Sequence, residues 1–213
     1  MKKLQEIQIE IKKALEKSKR SGDSVELVIA SKYFSIEQIM SFYQEGHRCF
    51  GENKVQDALK KMENLPCDIS WHFIGHLQKN KVNKIVDKFD LIHSVDSYEL
   101  AEKISEKSKR VQKILLQVKT SFEESKSGFL PKELLEDLPK IDALKNIKVC
   151  GLMTMAPHTD DISKVQESFR TLNEIRKNLG KKEWLLSMGM SQDFHYAIEQ
   201  GANLVRIGSS LIT

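Results

Sequence analysis

The sequence predicts an α/β fold: a single (β/α)8 TIM-type barrel of parallel strands, with an extra N-terminal helix and no C-terminal β-domain. Short apolar, β-branched runs alternate with helical patterns from residue 25 to residue 207, and such alternation builds a parallel sheet with helices outside it. Eight runs occur, the number that closes a barrel in preference to an open doubly wound sheet. No linker, low-complexity run or change of composition divides the chain, so residues 1–213 read as one domain.

Residues 1–20 place Leu4, Ile7, Ile11 and Leu15 three and four apart, with Lys and Glu between, an amphipathic helix closed by Ser21-Gly22-Asp23. Its mixed-charge polar face fits packing of segment 1–21 on its own domain better than a membrane surface or a partner. Strand 25–32 is Val25-Glu26-Leu27-Val28-Ile29-Ala30-Ser31-Lys32, and Ser35 behind it signals a helix start. Helix 35–45 ends at Gly46, strand 47–50 runs into Gly51-Glu52-Asn53, and helix 54–63 closes near Pro66. Strand 69–74 leads through Gly75-His76-Leu77-Gln78 to helix 80–88, strand 91–95 to helix 97–109, and strand 111–119 to the polar loop 120–128. Helix 131–145, strand 147–153, loop 155–160, helix 162–179, strand 184–187, helix 192–200 and strand 204–207 complete the series. The sequence stops five residues after Gly208, which leaves no eighth outer helix. The N-terminal helix is expected to take that place, because strands one and eight are neighbours in a closed barrel.

The composition, 40% hydrophobic and 30% charged with a net charge of +4, is that of a soluble globular chain. The lysines alternate with acids and form no clustered stripe, so nucleic-acid binding is not expected. No apolar run reaches membrane-spanning length. Glu6, Glu10 and Glu16 make the first twenty residues neither a secretory signal nor a transit peptide, which leaves the cytoplasm as the expected compartment. Cys49, Cys67 and Cys150 form no C-x-x-C pair and predict reduced thiols, without a disulfide framework or zinc site.

In a parallel barrel, chemistry sits at the C-terminal strand ends. Strand 25–32 ends there on Lys32, an amine able to condense with a carbonyl compound, although lysines also mark strand ends simply by reaching water. Around Ser187-Met188-Gly189-Met190-Ser191 and Arg206-Ile207-Gly208-Ser209-Ser210, small residues and hydroxyls suit a phosphate. Ser191 also reads as the N-cap of helix 192–200, whose dipole favours an anion. Arg206 lies between apolar Val205 and Ile207, so its guanidinium requires an acceptor, either an aspartate or a ligand ring nitrogen. Lysine, phosphate cradle and arginine together suggest pyridoxal 5′-phosphate (PLP), whose aldehyde, phosphate and pyridine nitrogen would take one group each. His72, His76, His93, His158 and His195 show no metal-binding spacing, and Asp96 before Ser97 and Glu99 reads as a helix start. Glu123, Glu124, Asp160 and Asp161 read as solvated loop charge, with magnesium binding as the alternative.

Several motifs, in order over nearly the full length, resemble the pyridoxal phosphate homeostasis protein family, related in fold to the barrel domain of alanine racemase. They include Ala30-Ser31-Lys32, His47 to Asn53, Trp71 to Lys81, Ile92 to Asp96, Glu124 to Gly128, Gly151 to Thr154, Leu186 to Ser191 with Asp193-Phe194, and Val205 to Ser209. The resemblance implies that Lys32 forms a Schiff base with PLP. It also implies that Ser191, Gly208 and Ser209 hold the phosphate, that Arg206 faces the pyridine nitrogen and that Asn53 lines the pocket. Lys126 resembles a lysine linked with PLP transfer. Two departures are Ser209, where many members have threonine, and Leu211-Ile212-Thr213, where the family has an aromatic-Gly pair.

Burial of Lys32 beside Arg206 is expected to favour its neutral amine. An arginine at the pyridine nitrogen keeps that nitrogen unprotonated and weakens the cofactor as an electron sink. The resembled racemases draw a second base from a C-terminal β-domain and a dimer partner, for which no residues remain here. The expected function is therefore a non-catalytic, monomeric PLP carrier in intracellular PLP homeostasis, with PLP-dependent apo-enzymes as possible recipients. The alternatives are a fold-type III PLP enzyme with weak racemase or lyase activity, and a Schiff-base phosphosugar barrel enzyme.

Overall fold

The computed structural model describes residues 2–121 and 127–212. Helix α1 (Lys2–Lys17) precedes strand β1 (Glu26–Ala30), followed by α2 (Ile36–Gln44), β2 (Cys49–Glu52), α3 (Val55–Met62) and β3 (Ser70–Phe73). A 3-10 turn, Lys79–Lys84, leads to β4 (Leu91–Val95), α4 (Tyr98–Lys107), β5 (Gln112–Gln117), α5 (Pro131–Asp142) and β6 (Ile147–Met153). Then come α6 (Ile162–Asn178), β7 (Leu185–Ser187), α7 (Phe194–Glu199), β8 (Leu204–Ile207) and a second 3-10 turn, Ser209–Leu211. The eight strands form one closed barrel in sequence order, every ladder parallel. Closure is through β1 on β8, with Val28 opposite Arg206 and Ile29 opposite Ile207.

Period-two alternation sorts the strands. Val28, Cys49, Leu91, Leu115, Met153 and Leu204 meet inside the barrel. Their outward neighbours, among them Leu27, Ile29, Phe50, Phe73, Ile92 and Ile114, join the larger core under the helices. Capping follows the sequence signals. Ser35 and Gln38 form a capping box on α2, and the Ser97 hydroxyl caps α4. Asp161, one of the loop acids, accepts from Ser163 N and Lys164 N to cap α6.

Helix α1 lies against α7 and the turn Ser209–Leu211, at the position expected for an eighth outer helix. Leu4, Ile7, Ile11 and Leu15 are buried along its inner face. Lys3 Nζ donates to Ile212 O at 2.8 Å, Lys17 pairs with Glu199 at 2.6 Å, and Arg20 Nη1 donates to Ile198 O at 2.6 Å.

Two expected elements change. Instead of a helix over 80–88 there is the six-residue 3-10 turn Lys79–Lys84. Asn80 and Asn83 compete with helical hydrogen bonds, while the tighter winding aligns Val82 with Ile85, both fully buried. The expected helix 192–200 shrinks to Phe194–Glu199. Gly189, at φ +94°, and the 2.6 Å bond from Met190 N to Asp193 Oδ1 hold residues 190–193 in a turn instead.

Candidate functional site

The register Ala30↔Gly51 brings β1 and β2 level, so Lys32 and Asn53, each two residues further on, reach the same height of the barrel mouth. Beside β1, β8 ends at Ile207 and the chain turns at Gly208, where a Cβ would come 2.7 Å from Ala30 O. Only a glycine lets the β8 turn lie so close to the strand that carries Lys32. Lys32 itself corrects the expectation of burial. Its side chain is exposed, with Nζ 4.7 Å from the ring centroid of Tyr33. The long stem reaches water and an aromatic face.

Arg206 is buried as expected, at 6% exposure. Nη1 donates to Ser187 Oγ at 2.6 Å and Nη2 to the Thr154 carbonyl at 3.0 Å. The acceptors are thus a hydroxyl and a carbonyl, while Asp193 acts on the guanidinium only through its field. Burial pulls Arg206 down to about 10, against the opposing pull of Asp193. Burial likewise raises the Asp193 carboxyl.

Below Arg206 a polar file crosses the barrel. Ser187 Oγ lies 2.8 Å from His93 Nδ1, and His93 Nε2 lies 3.1 Å from His72 Nδ1. His72 in turn meets Cys49 Sγ at 3.7 Å. Because a guanidinium has only donors, Ser187 accepts from it and has its own proton free for His93. Burial lowers His72 to about 4 and His93 well below the ordinary imidazole value, the latter helped by His72 and Arg206. Neither histidine has metal-binding spacing in the sequence, and both are paired with neighbours inside the barrel. Their connection to Arg206 has no local sequence signature, since it joins strands three, four, seven and eight.

Ser191 does not cap a helix. Its half-buried hydroxyl faces the backbone N–H groups of Gly208 and Ser210, each at 3.4 Å, and so brings the two expected phosphate loops together. Ser209 is exposed in the turn after Gly208. Asn53 Oδ1 is buried without a hydrogen-bond partner, beside a cavity of about 350 Å³ that Phe73, His76 and Lys81 also line. His76 pairs with Asp96 at 3.6 Å, and burial raises the Asp96 carboxyl. Lys126, Glu123 and Glu124 lie outside the described residues. Sequence reasoning passed over Lys61, whose Nζ reaches Glu52 Oε1 at 2.6 Å.

A cavity of about 740 Å³ at the opposite end of the barrel is lined by Arg20 and Arg176. Both arginines are engaged by protein, Arg20 with Asp23 and the Ile198 and Ala202 carbonyls, Arg176 with the Trp184 carbonyl and Asn173. Among the described residues no group of three or more His, Cys, Asp or Glu could hold a metal ion, and no helix is long and apolar enough to cross a membrane.

Residues 4–213 match the family described as alanine racemase, N-terminal domain. The pyridoxal phosphate homeostasis protein of Aquifex aeolicus is 43% identical over 209 residues, 94% of this chain and 92% of that one. That of Helicobacter pylori strain J99 is 46% identical over 195 residues, covering 88% of this chain and 86% of the other. PipY of Synechococcus elongatus PCC7942, solved with PLP bound, superposes with a TM-score of 0.81 at 36% identity, over 95% of this chain and 100% of its own. An alanine racemase of Clostridium difficile shares the barrel at a TM-score of 0.78 and 16% identity, matched over 99% of this chain but 56% of its own. The chain therefore belongs to the alanine racemase N-terminal domain family, alongside the relatives named pyridoxal phosphate homeostasis protein.

Proposed function

We propose that this chain binds PLP reversibly at the C-terminal mouth of the barrel and serves PLP homeostasis as a carrier rather than as an enzyme. The carrying observation is the buried Arg206, held by Ser187 and Thr154 two residues before the Gly208 turn that touches the Lys32 strand. The mouth fits the cofactor. Asn53 Oδ1 is buried and unpartnered, and the Gly208 cradle admits no side chain. Gly208, Ser209 and Ser191 offer backbone N–H groups and hydroxyls to a phosphate. Arg206 offers a donor to a ring nitrogen. Lys32, on a mobile four-carbon stem, supplies the amine. PLP contributes an aldehyde that condenses with an amine with loss of water.

Support for the carrier reading comes from the names of the curated relatives and from PipY, solved with PLP bound. It also comes from Arg206, since a permanent cation facing the ring nitrogen opposes its protonation and weakens carbanion chemistry. A monomer in the cytoplasm, handing PLP to apo-enzymes, completes the proposal. The test is absorbance with borohydride trapping and peptide mapping. Purified protein given PLP should turn yellow and carry the reduced label on Lys32. A colourless protein would defeat the proposal, and turnover of D- or L-amino acids well above a Lys32→Ala control would make the chain an enzyme.

A further inference from the structure

We infer that Glu52 and Lys61 are positioning residues, a buried ion pair that sets the peptide preceding Lys32; this rests on the PLP reading above. On β2, Cys49 faces the barrel interior and Phe50 the outer core, so Glu52, two residues beyond Phe50, faces outward toward α3. It is fully buried there, at 0% exposure. Lys61, in the last turn of α3, donates from Nζ to Glu52 Oε1 at 2.6 Å and to the Ser31 carbonyl at 2.6 Å. The Ser31 hydroxyl donates to the same Oε1 at 2.7 Å. Glu52 Oε2 is buried with no hydrogen-bond partner.

Stability does not account for this arrangement. A buried ion pair must offset the loss of hydration of both charges, an apolar pair of similar volume generally does as well, and a buried oxygen without a partner adds to the cost. What an apolar pair cannot do is grip a peptide group. Strand β1 ends at Ala30, so Ser31 and Lys32 run beyond its ladder. Other contacts take over from the ladder at Ser31. Its N–H donates to Gly51 O at 2.9 Å, its carbonyl receives both Lys61 Nζ and Phe34 N, and its hydroxyl holds Glu52. The Ser31–Lys32 peptide is thereby fixed from both sides, and the stem of Lys32 starts from a set direction. Glu52 also precedes Asn53, and its carbonyl accepts from Ile74 N at 3.0 Å, so one residue ties the Lys32 and Asn53 ends of the mouth together. Fixing the first atoms of a flexible side chain reduces what it loses on being ordered by a ligand.

The experiment uses the full chain loaded with PLP and compares wild type, the double variant Glu52→Leu/Lys61→Met, and Ser31→Ala. Urea midpoints report stability, while the visible band and the rate of PLP release to an excess of an aldehyde trap report Lys32. The double variant should keep its urea midpoint, release PLP at least about tenfold faster and lose the sharpness of the visible band, because the charges serve placement and not stability. Ser31→Ala, which leaves the ion pair in place, should release PLP a few-fold faster while remaining folded, and it decides the matter if the double variant does not fold. Wild-type release and spectrum in both folded variants, or in Ser31→Ala alone where the double variant is unfolded, would overturn the inference. A wild type that takes up no PLP and carries no borohydride label on Lys32 would instead overturn the function on which the inference rests.

Discussion

Acid should destabilise this barrel through the two imidazoles inside it, and the size of the effect follows from their burial. His72 titrates at about 4 in the folded chain against an ordinary 6.5, and His93 is displaced in the same direction. A histidine lowered on folding takes up its proton in the unfolded chain first. Its contribution is therefore intact above 6.5 and is lost as the pH falls toward about 4. The full displacement of His72, from 6.5 to about 4, is worth about 3 kcal/mol, of which about 2 kcal/mol is already lost at about pH 5. That is a sizeable fraction of the 5–15 kcal/mol by which domains of roughly this size are stable. The assay is urea unfolding at about pH 7.5 and about pH 5, for wild type and for His72→Gln. The amide retains a donor and an acceptor for His93 and Cys49 but does not titrate. Whatever the substitution costs at neutral pH, the loss between the two pH values should be smaller in the variant by about 2 kcal/mol. Equal losses in the two proteins would show that His72 is not held neutral by burial, and the reasoning would fail.

Other perturbations reach different parts of the molecule. Gly208→Ala should destabilise by about 1–3 kcal/mol in urea unfolding and speed PLP release, because its Cβ would stand 2.7 Å from Ala30 O and press β8 away from β1. Thiol titration of the native protein should find Cys67 reactive and Cys49 silent until the chain unfolds, since Cys67 is exposed and burial pushes the Cys49 thiol up. Removing residues 1–20 uncovers the site of Leu4, Ile7, Ile11 and Leu15 and breaks the bonds of Arg20 to Ile198 and Ala202. At about 1.5–3 kcal/mol per buried aliphatic side chain, the truncated chain should lose its cooperative unfolding transition, as followed by circular dichroism.

The barrel was legible because its signals are local. Alternation of short apolar runs with amphipathic stretches is visible residue by residue, and Ser35 and Ser97 mark their helices by chemistry that acts within one turn. The Asn-rich segment after β3 misleads for a related reason. Its apolar spacing suits an α-helix, but the two asparagines and the 3-10 spacing of Val82 and Ile85 decide otherwise. The site was legible in part. Lys32, Asn53, Arg206 and Gly208 stand at strand ends and can be found by counting strands. Ser191 was placed at the mouth, but its reading as a helix N-cap fails, because the turn at Gly189 shortens α7 and turns the hydroxyl toward Gly208 and Ser210. The file from Arg206 to Cys49 and the pair of Glu52 with Lys61 were out of reach. They depend on which face of each strand meets which neighbour across the barrel, a relation that only closure establishes.

Closure also bears on why a barrel with this interior suits holding a reactive aldehyde. Under Arg206 there is a hydroxyl, then two neutral imidazoles, and among the described residues no carboxylate bonds the guanidinium directly. The field of Asp193, whose own carboxyl is raised by burial, opposes its positive charge. The charge is therefore available at the mouth, where it favours a phosphorylated ligand and disfavours protonation of a ring nitrogen placed against it. An acid in the same position would do the reverse, strengthening the electron sink and repelling the phosphate. On the proposed reading, an arginine in this position would work for retention and against turnover of the cofactor, and the exposed Lys32 at the rim would leave its tether open to exchange.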